Sequence, residues 1–194
     1  MITFDNIKNS HEIRTYIEKA DFALSAQGFT EHTLAHVGKV ANTANELLIK
    51  LGYDDRTAEL ASIAGYMHDI GNVVNRVDHA QSGAIMAFRI LDKMGMDVEE
   101  IAMIISAIGN HDESTAVTVN AVAAAIILAD KSDVRRTRVR NTDFATFDIH
   151  DRVNYSVEKS SLALKENKKE VELNLTIDTK ICAVMDYFEI FLDR

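Results

Sequence analysis

Apolar side chains recur at helical spacing through most of the chain. Val37, Val40, Ala41, Ala44, Leu47, Leu48 and Leu51 follow an i, i+3, i+4, i+7 rhythm, which lays one apolar face along this segment. Ala84, Ala87, Phe88 and Leu91 repeat it, as do Ile101, Ile104, Ile105 and Ile108, and then Ile181, Val184, Met185, Phe188 and Leu192. Gly28, Gly52, Gly71, Gly95 and Gly109 each fall just past a periodic segment, where a left-handed C-cap favours glycine. Asp78, with Gln81 three residues on, reads as a capping box. The pattern predicts helices over 8–26, 31–51, 55–70, 79–94, 97–109, 117–140 and 179–193. Residues 121–129 are almost wholly apolar, so the 117–140 helix is expected to be central.

One stretch departs from this rhythm. Residues 155–164, a polar turn at 166–169 and residues 170–177 read as strand, turn, strand, with Val171, Leu173, Leu175 and Ile177 on one side. A lone hairpin is marginal in water, so it must pack on the helices or on a second subunit. The fold class is therefore all-α, a helical bundle over 1–150, with a small C-terminal β-hairpin and closing helix over 151–194 in the same globule.

Composition narrows the picture. The chain has 194 residues, 47% hydrophobic and 26% charged, enough to bury a core without disulfides. It contains no proline, so nothing of that kind interrupts long helices. A net charge of −9 opposes generic nucleic-acid binding, which needs a basic surface. Cys182 is the single cysteine and cannot form an internal disulfide, which suits a reducing compartment. Residues 1–10 show no secretory signal, and no apolar run reaches the ~18 residues of a membrane span. The expected location is cytoplasmic, with no membrane partner.

The chemistry must lie among seven histidines: His11, His32, His36, His68, His79, His111 and His150. His68 and Asp69 end an apolar helix, where burial without partners would be costly. Asp130 closes the apolar run 123–129, and His36 borders the best amphipathic stripe. His79 opens a helix, a position that favours neutral imidazole, and His111 follows a helix end. Singly, each reads more readily as a solvated or boundary residue. Together, His, His-Asp and Asp on separate helices can converge in a bundle, and mixed nitrogen and oxygen donors suit a borderline divalent ion.

The order His36, His68-Asp69, Asp130 resembles the HD superfamily of metal-dependent phosphohydrolases, whose defining pattern is H…HD…D. His36-Val37-Gly38-Lys39-Val40, Tyr66-Met67-His68-Asp69-Ile70-Gly71 and Leu128-Ala129-Asp130 are similar to its motifs. Asp78-His79-Ala80-Gln81-Ser82-Gly83-Ala84 and Asn110-His111-Asp112 resemble the two extra histidine motifs of its binuclear branches. The resemblance covers residues 31–140. It implies an HD-type helical bundle with one or two divalent ions, drawn from iron, manganese, cobalt, nickel, zinc or magnesium. It further implies that His36, His68, Asp69 and Asp130 bind one metal, that Asp69 bridges to a second held by His79 and His111, and that a bridging water or hydroxide attacks phosphorus. Asp69 is the catalytic residue on this reading. The chain lacks the lysine at position 72 and the Gly-Tyr-Pro motif of many cyclic-dinucleotide phosphodiesterases, so that substrate is not expected.

Beside Asp130, Lys131, Asp133, Arg135 and Arg136 are candidates for substrate contact, since arginine's fork suits phosphate, with Asp133 either a proton donor or a partner behind the ligands. Arg138 and Arg140 lie further along and are expected to reach less well. His32 precedes His36 by four residues, as either a group behind the ligands on the same helix face or a surface residue. The expected function is phosphomonoester or phosphodiester hydrolysis of a small phosphorylated substrate, a nucleotide by preference. A di-iron oxygenase of the same superfamily and a non-catalytic nucleotide-binding module are the alternatives, and a homodimer is one arrangement that would cover the hairpin.

Overall fold

The computed structural model describes residues 1–112, 115–167 and 169–191. Side-chain caps set most helix starts. Thr3 caps α1 (Phe4–Lys8) in a reciprocal bond with Asn6, and Ser10 caps α2 (His11–Ala26). The expected 8–26 helix is thus two helices. Thr33, Asp54, Asp97 and Asn120 cap α3 (Leu34–Leu51), α4 (Asp55–Met67), α6 (Val98–Gly109) and α7 (Ala121–Ser132). Between α4 and α6 run a 3-10 turn, Ile70–Val73, and α5 (His79–Lys93). After α7 come two short 3-10 turns, α8 (Ile149–Ser156), strands β1 (Val157–Leu164) and β2 (Val171–Ile177), and α9 (Val184–Phe191).

The core lies where α3, α4, α6 and α7 meet. The predicted stripe of α3 is buried from Val37 to Leu48, and α4 is buried without break from Leu60 to Met67. Ile63, Met67 and Ile70 are inaccessible to solvent, and each such side chain contributes about 1.5–3 kcal/mol on burial. The last residues of that buried run lead straight into His68 and Asp69.

The strands pair antiparallel, from Val157 opposite Ile177 to Leu164 opposite Val171. β1 leans on the bundle of the same chain, with the Ser160 hydroxyl donating to the Ser132 carbonyl at 2.6 Å. Val171 and Leu173 of β2 remain partly exposed. α8 runs through the expected boundary at 150/151 without a break and takes residues 155–156 that the alternation gave to the strand. Lys168 of the polar turn and Leu192 of the terminal stripe lie outside the described residues.

Three expectations need correction. The 117–140 helix ends at Ser132, because Asp133 leaves helical geometry at φ −81°, ψ 64° and turns its carboxylate back on the bundle. The capping box at Asp78 does not form. Asp78 takes a left-handed conformation, φ 56°, and caps nothing with its side chain. Gly28, Gly52 and Gly95 are left-handed helix ends, but Gly71 and Gly109 are not. Gly71 is required by proximity instead. A Cβ there would sit 2.0 Å from the carbonyl oxygen of His79 and 2.5 Å from the amide of Gly83. The turn after His68-Asp69 thereby lies directly on the first turns of α5.

Candidate metal centre

Helix ends bring the candidate ligands together. His36 stands in the first turn of α3, His68 directly follows α4, His79 opens α5, His111 follows α6 and Asp130 lies near the end of α7. All four histidines are buried, as is Asp69. The Asp69 carboxylate is the hub. Its Oδ2 lies 3.1 Å from His68 Nε2 and 3.8 Å from His36 Nε2. Its Oδ1 lies 3.5 Å from His79 Nε2 and 3.8 Å from His111 Nε2. Asp130 Oδ1 adds a second carboxylate, 3.2 Å from His36 Nε2 and 3.8 Å from His68 Nε2.

The other nitrogen of each ring fixes its tautomer. Nδ1 of His68, His79 and His111 donates to the carbonyls of Gly65, Arg76 and Ile108 at 2.8, 3.0 and 2.6 Å. Nδ1 of His36 donates to Asp133 Oδ2 at 2.8 Å. The proton is therefore on Nδ1, and Nε2 presents a lone pair toward carboxylate oxygens. Nε2 of His36 and of His68 are buried with no hydrogen-bond partner. Orphaned buried acceptors facing anions are unfavourable unless a cation sits among them. The residues present thus fit a divalent metal. Among the described residues, two groups have possible donor atoms within 4.8 Å of one another: His36, His68 and Asp130, and His68, Asp69 and His111. Carbonyl or carboxylate partners on the far nitrogen are the usual support for metal-binding histidine.

In the metal-free protein the carboxylates and imidazoles bias one another's charge. Burial pushes the Asp69 carboxyl up, but the imidazoles of His68 and His111 outweigh it and hold it well below the usual range. Burial likewise opposes ionisation of Asp130, and the Lys131 ammonium and His36 overcome it. Burial and the Arg76 charge lower His79 despite Asp69, and burial lowers His32 well below the ordinary histidine value. Burial opposes protonation of His68, yet Asp69 beside it raises its pKa overall.

A family model described as the HD domain matches residues 33–190. The chain belongs to the HD-domain family. No protein of curated function matches it. Among solved structures, it is similar to the crystal structure of a predicted HD superfamily hydrolase from an uncultured Thermotogales bacterium, with 28% identity over 64% of this chain and 67% of that one and a TM-score of 0.49.

In this HD domain the candidate ligands Asp69, His79, His111 and Asp130 open into a cavity of about 410 Å³. His32 lines it with them, as do Phe29, His150, Asn154 and Phe191. Of the cations and carboxylate expected to meet substrate, Lys131 lines the cavity, with its ammonium 2.8 Å from Asp130 Oδ2. Asp133 also borders the cavity, but of its two expected roles the geometry favours the partner behind a ligand over substrate contact. Its side chain has no exposed surface, Oδ2 is taken by His36, and Oδ1 accepts from Lys39 at 2.7 Å and Arg135 at 2.9 Å. It orients His36. Arg135 is corrected, since its Nε stands behind Asp133 and it does not line the cavity. Arg136 turns to the other side, donates to the Tyr155 carbonyl at 2.6 Å and lies over the Tyr155 ring. The short 3-10 turn at 136–138 reverses the expected order of reach, placing Arg138 on the cavity wall, where it donates to the carbonyls of Asp133 and Glu31.

Two further residues of the candidate site were not singled out for a role from the sequence. Arg76 points Nη1 toward His79 Nε2 at 3.3 Å and stacks over Phe29, placing a cation at the cavity edge. Asn72 is buried and donates to Asp69 Oδ1 at 2.9 Å, which fixes the hub carboxylate. Its place three residues after Asp69 is the one clue the sequence held.

Proposed function

We propose that this HD-domain protein is a metal-dependent phosphohydrolase acting on a small phosphate ester, a nucleotide by preference. One observation carries the reading: four imidazole lone pairs, each tautomer locked from behind, point at the two oxygens of one ionised carboxylate. His36, His68, Asp130 and Asp69 Oδ2 would hold one ion, and His79, His111 and Asp69 Oδ1 a second. When bound, the metal supplies Lewis acidity at phosphoryl oxygen and acidifies a coordinated water.

The chain's own groups do the rest. Water adds across a P–O ester bond to give a phosphate and an alcohol. Lys131 and Arg76 bring positive charge to the cavity where phosphoryl oxygens would lie. Asn72 keeps the Asp69 carboxylate from rotating. Phe29 and Phe191 offer apolar faces for the remainder of the substrate, and the cavity is of the size that takes a small organic ligand.

The test is release of inorganic phosphate from a panel of nucleotides and simple esters, with manganese, iron, cobalt or zinc, in air and without oxygen. Metal-dependent release in both atmospheres supports the reading. No release from any ester, with oxygen uptake by the iron form, would replace it by oxygenase chemistry.

A further inference from the structure

We infer that His32 is a fifth imidazole of the metal centre, a ligand on the Asp69 Oδ2 side. This rests on the reading that the centre holds metal. His32 does not belong to α3, which begins at Leu34. It lies in the segment leading into that helix, so helical spacing does not place it. Yet its Nε2 comes within 3.9 Å of Asp69 Oδ2, the oxygen that His36 and His68 also face, and its ring centroid is 5.4 Å from that of His36.

The ring is prepared as the other four are. Nδ1 lies 2.7 Å from the Thr30 carbonyl, which can only accept, so the proton is on Nδ1 and Nε2 carries a lone pair. A lone pair and a carboxylate oxygen facing each other across that gap repel. A cation between them turns the repulsion into two bonds, as it would for His68, His79 and His111.

The segment around His32 is built to hold it. The His32 amide donates to Asp21 Oδ1 at 2.8 Å. The Glu31 amide donates to the Arg138 carbonyl at 2.8 Å, and Arg138 Nε returns a bond to the Glu31 carbonyl at 3.0 Å. Thr33 caps α3 immediately afterwards. Loop, α2 and the strap after α7 thus converge on one side chain. His150 makes the contrast. It also lines the cavity, but it is half exposed and its described ionic neighbour is Asp148, not Asp69.

A fifth imidazole changes which ions the centre prefers. The Oδ2 side would carry three nitrogen donors, the Oδ1 side two. Nitrogen-rich sets favour cobalt, nickel, zinc and iron over magnesium. His32 would therefore be a selectivity residue as well as a ligand.

The experiment is a cobalt(II) titration of metal-stripped full-length protein, followed by visible absorption and chelator competition, in wild type, His32→Ala and His150→Ala. We expect His32→Ala to bind cobalt about tenfold more weakly or worse, with an altered absorption band, and to lose far less affinity for magnesium. His150→Ala should match wild type. Equal affinity and an unchanged band in His32→Ala would overturn the assignment. Wild type that binds no cobalt would instead overturn the metal reading beneath it. Should His32→Ala fold poorly, nitrogen-15 spectra of histidine in wild type titrated with zinc decide the matter. Five Nε2 signals moving supports five ligands, and four rejects His32.

Discussion

Asp133 Oδ2 accepts a hydrogen bond from His36 Nδ1 at 2.8 Å, joining residues 97 positions apart in the chain. Lys39 and Arg135 hold the other oxygen, so the carboxylate is fixed on both sides. Asp133→Asn keeps the shape but removes the charge that makes His36 a stronger donor to metal. Metal affinity is expected to fall by about 10–100-fold with the helical circular-dichroism spectrum preserved. Chelator competition against wild type measures it, and an unchanged affinity would show that Asp133 only fills space.

Asp69 faces both groups of histidines, whereas Asp130 faces His36 and His68. Asp69→Ala should therefore reduce the number of ions bound per chain and lower turnover by more than the roughly 100-fold that loss of a supporting group costs. Asn72→Ala removes the bond to Asp69 Oδ1 and should weaken binding less, about tenfold. Metal analysis after gel filtration, paired with phosphate release, ranks the two.

Gly71→Ala is expected to destabilise the protein although no charge or ligand changes. The new Cβ would fall 2.0 Å from the His79 carbonyl, an approach that forces the turn and α5 apart. Overpacking of this kind costs about 1–3 kcal/mol. For a chain of this size that lowers the melting temperature by several degrees, at about 2–4 °C per kcal/mol. Gly38→Ala, inside α3 where a Cβ meets nothing within 4 Å, is the control and should melt slightly above wild type, since alanine favours a helix interior over glycine by about 0.5–1 kcal/mol.

The pH dependence of the metal-free protein follows from the direction of each shift. Burial lowers His32, and burial with Arg76 lowers His79, so below the ordinary value of about 6.5 the unfolded chain takes up protons before the folded one. Their contribution falls as pH drops through and below that value. His68 is shifted upward. Its contribution is complete below about 6.5 and is lost as pH rises through its folded value. The shift of His32 is the large one of the three, so the melting temperature should fall from pH 7 to pH 5. Asp69 and Asp130 are lowered, against burial, by cationic neighbours, and their contribution is present above about pH 4 and lost below it. Scanning calorimetry in chelator across this range checks both slopes. A melting temperature that rises on acidification would contradict the sign.

The helices and their ligands were legible because burial leaves a period. The stripe of α3, the unbroken apolar end of α4 and the H…HD…D order all lie in plain spacing, and the structure brings those residues to one point. What was not legible depends on contacts across the fold. No glycine or proline marks the end of α7. Asp133 ends it because His36, Lys39 and Arg135, remote or nearby, draw its carboxylate away from solvent. That turn also separates Arg136 from Arg138, which helical spacing had ranked the other way. Gly71 was read as a helix end when its real constraint is a neighbour that comes later in the chain. His32 was tied to a helix it does not join.

The cavity draws its lining from different stretches of the chain. The candidate ligands and their supports lie between His32 and Asp133, whereas Asn154 and Phe191 come from α8 and α9, which follow them. On the proposed reading, selection of what enters and the chemistry done on it are therefore separable. On that reading, changes within α8 and α9 would retune which molecules fit while the candidate ligands stay in place, so one centre could serve a succession of substrates.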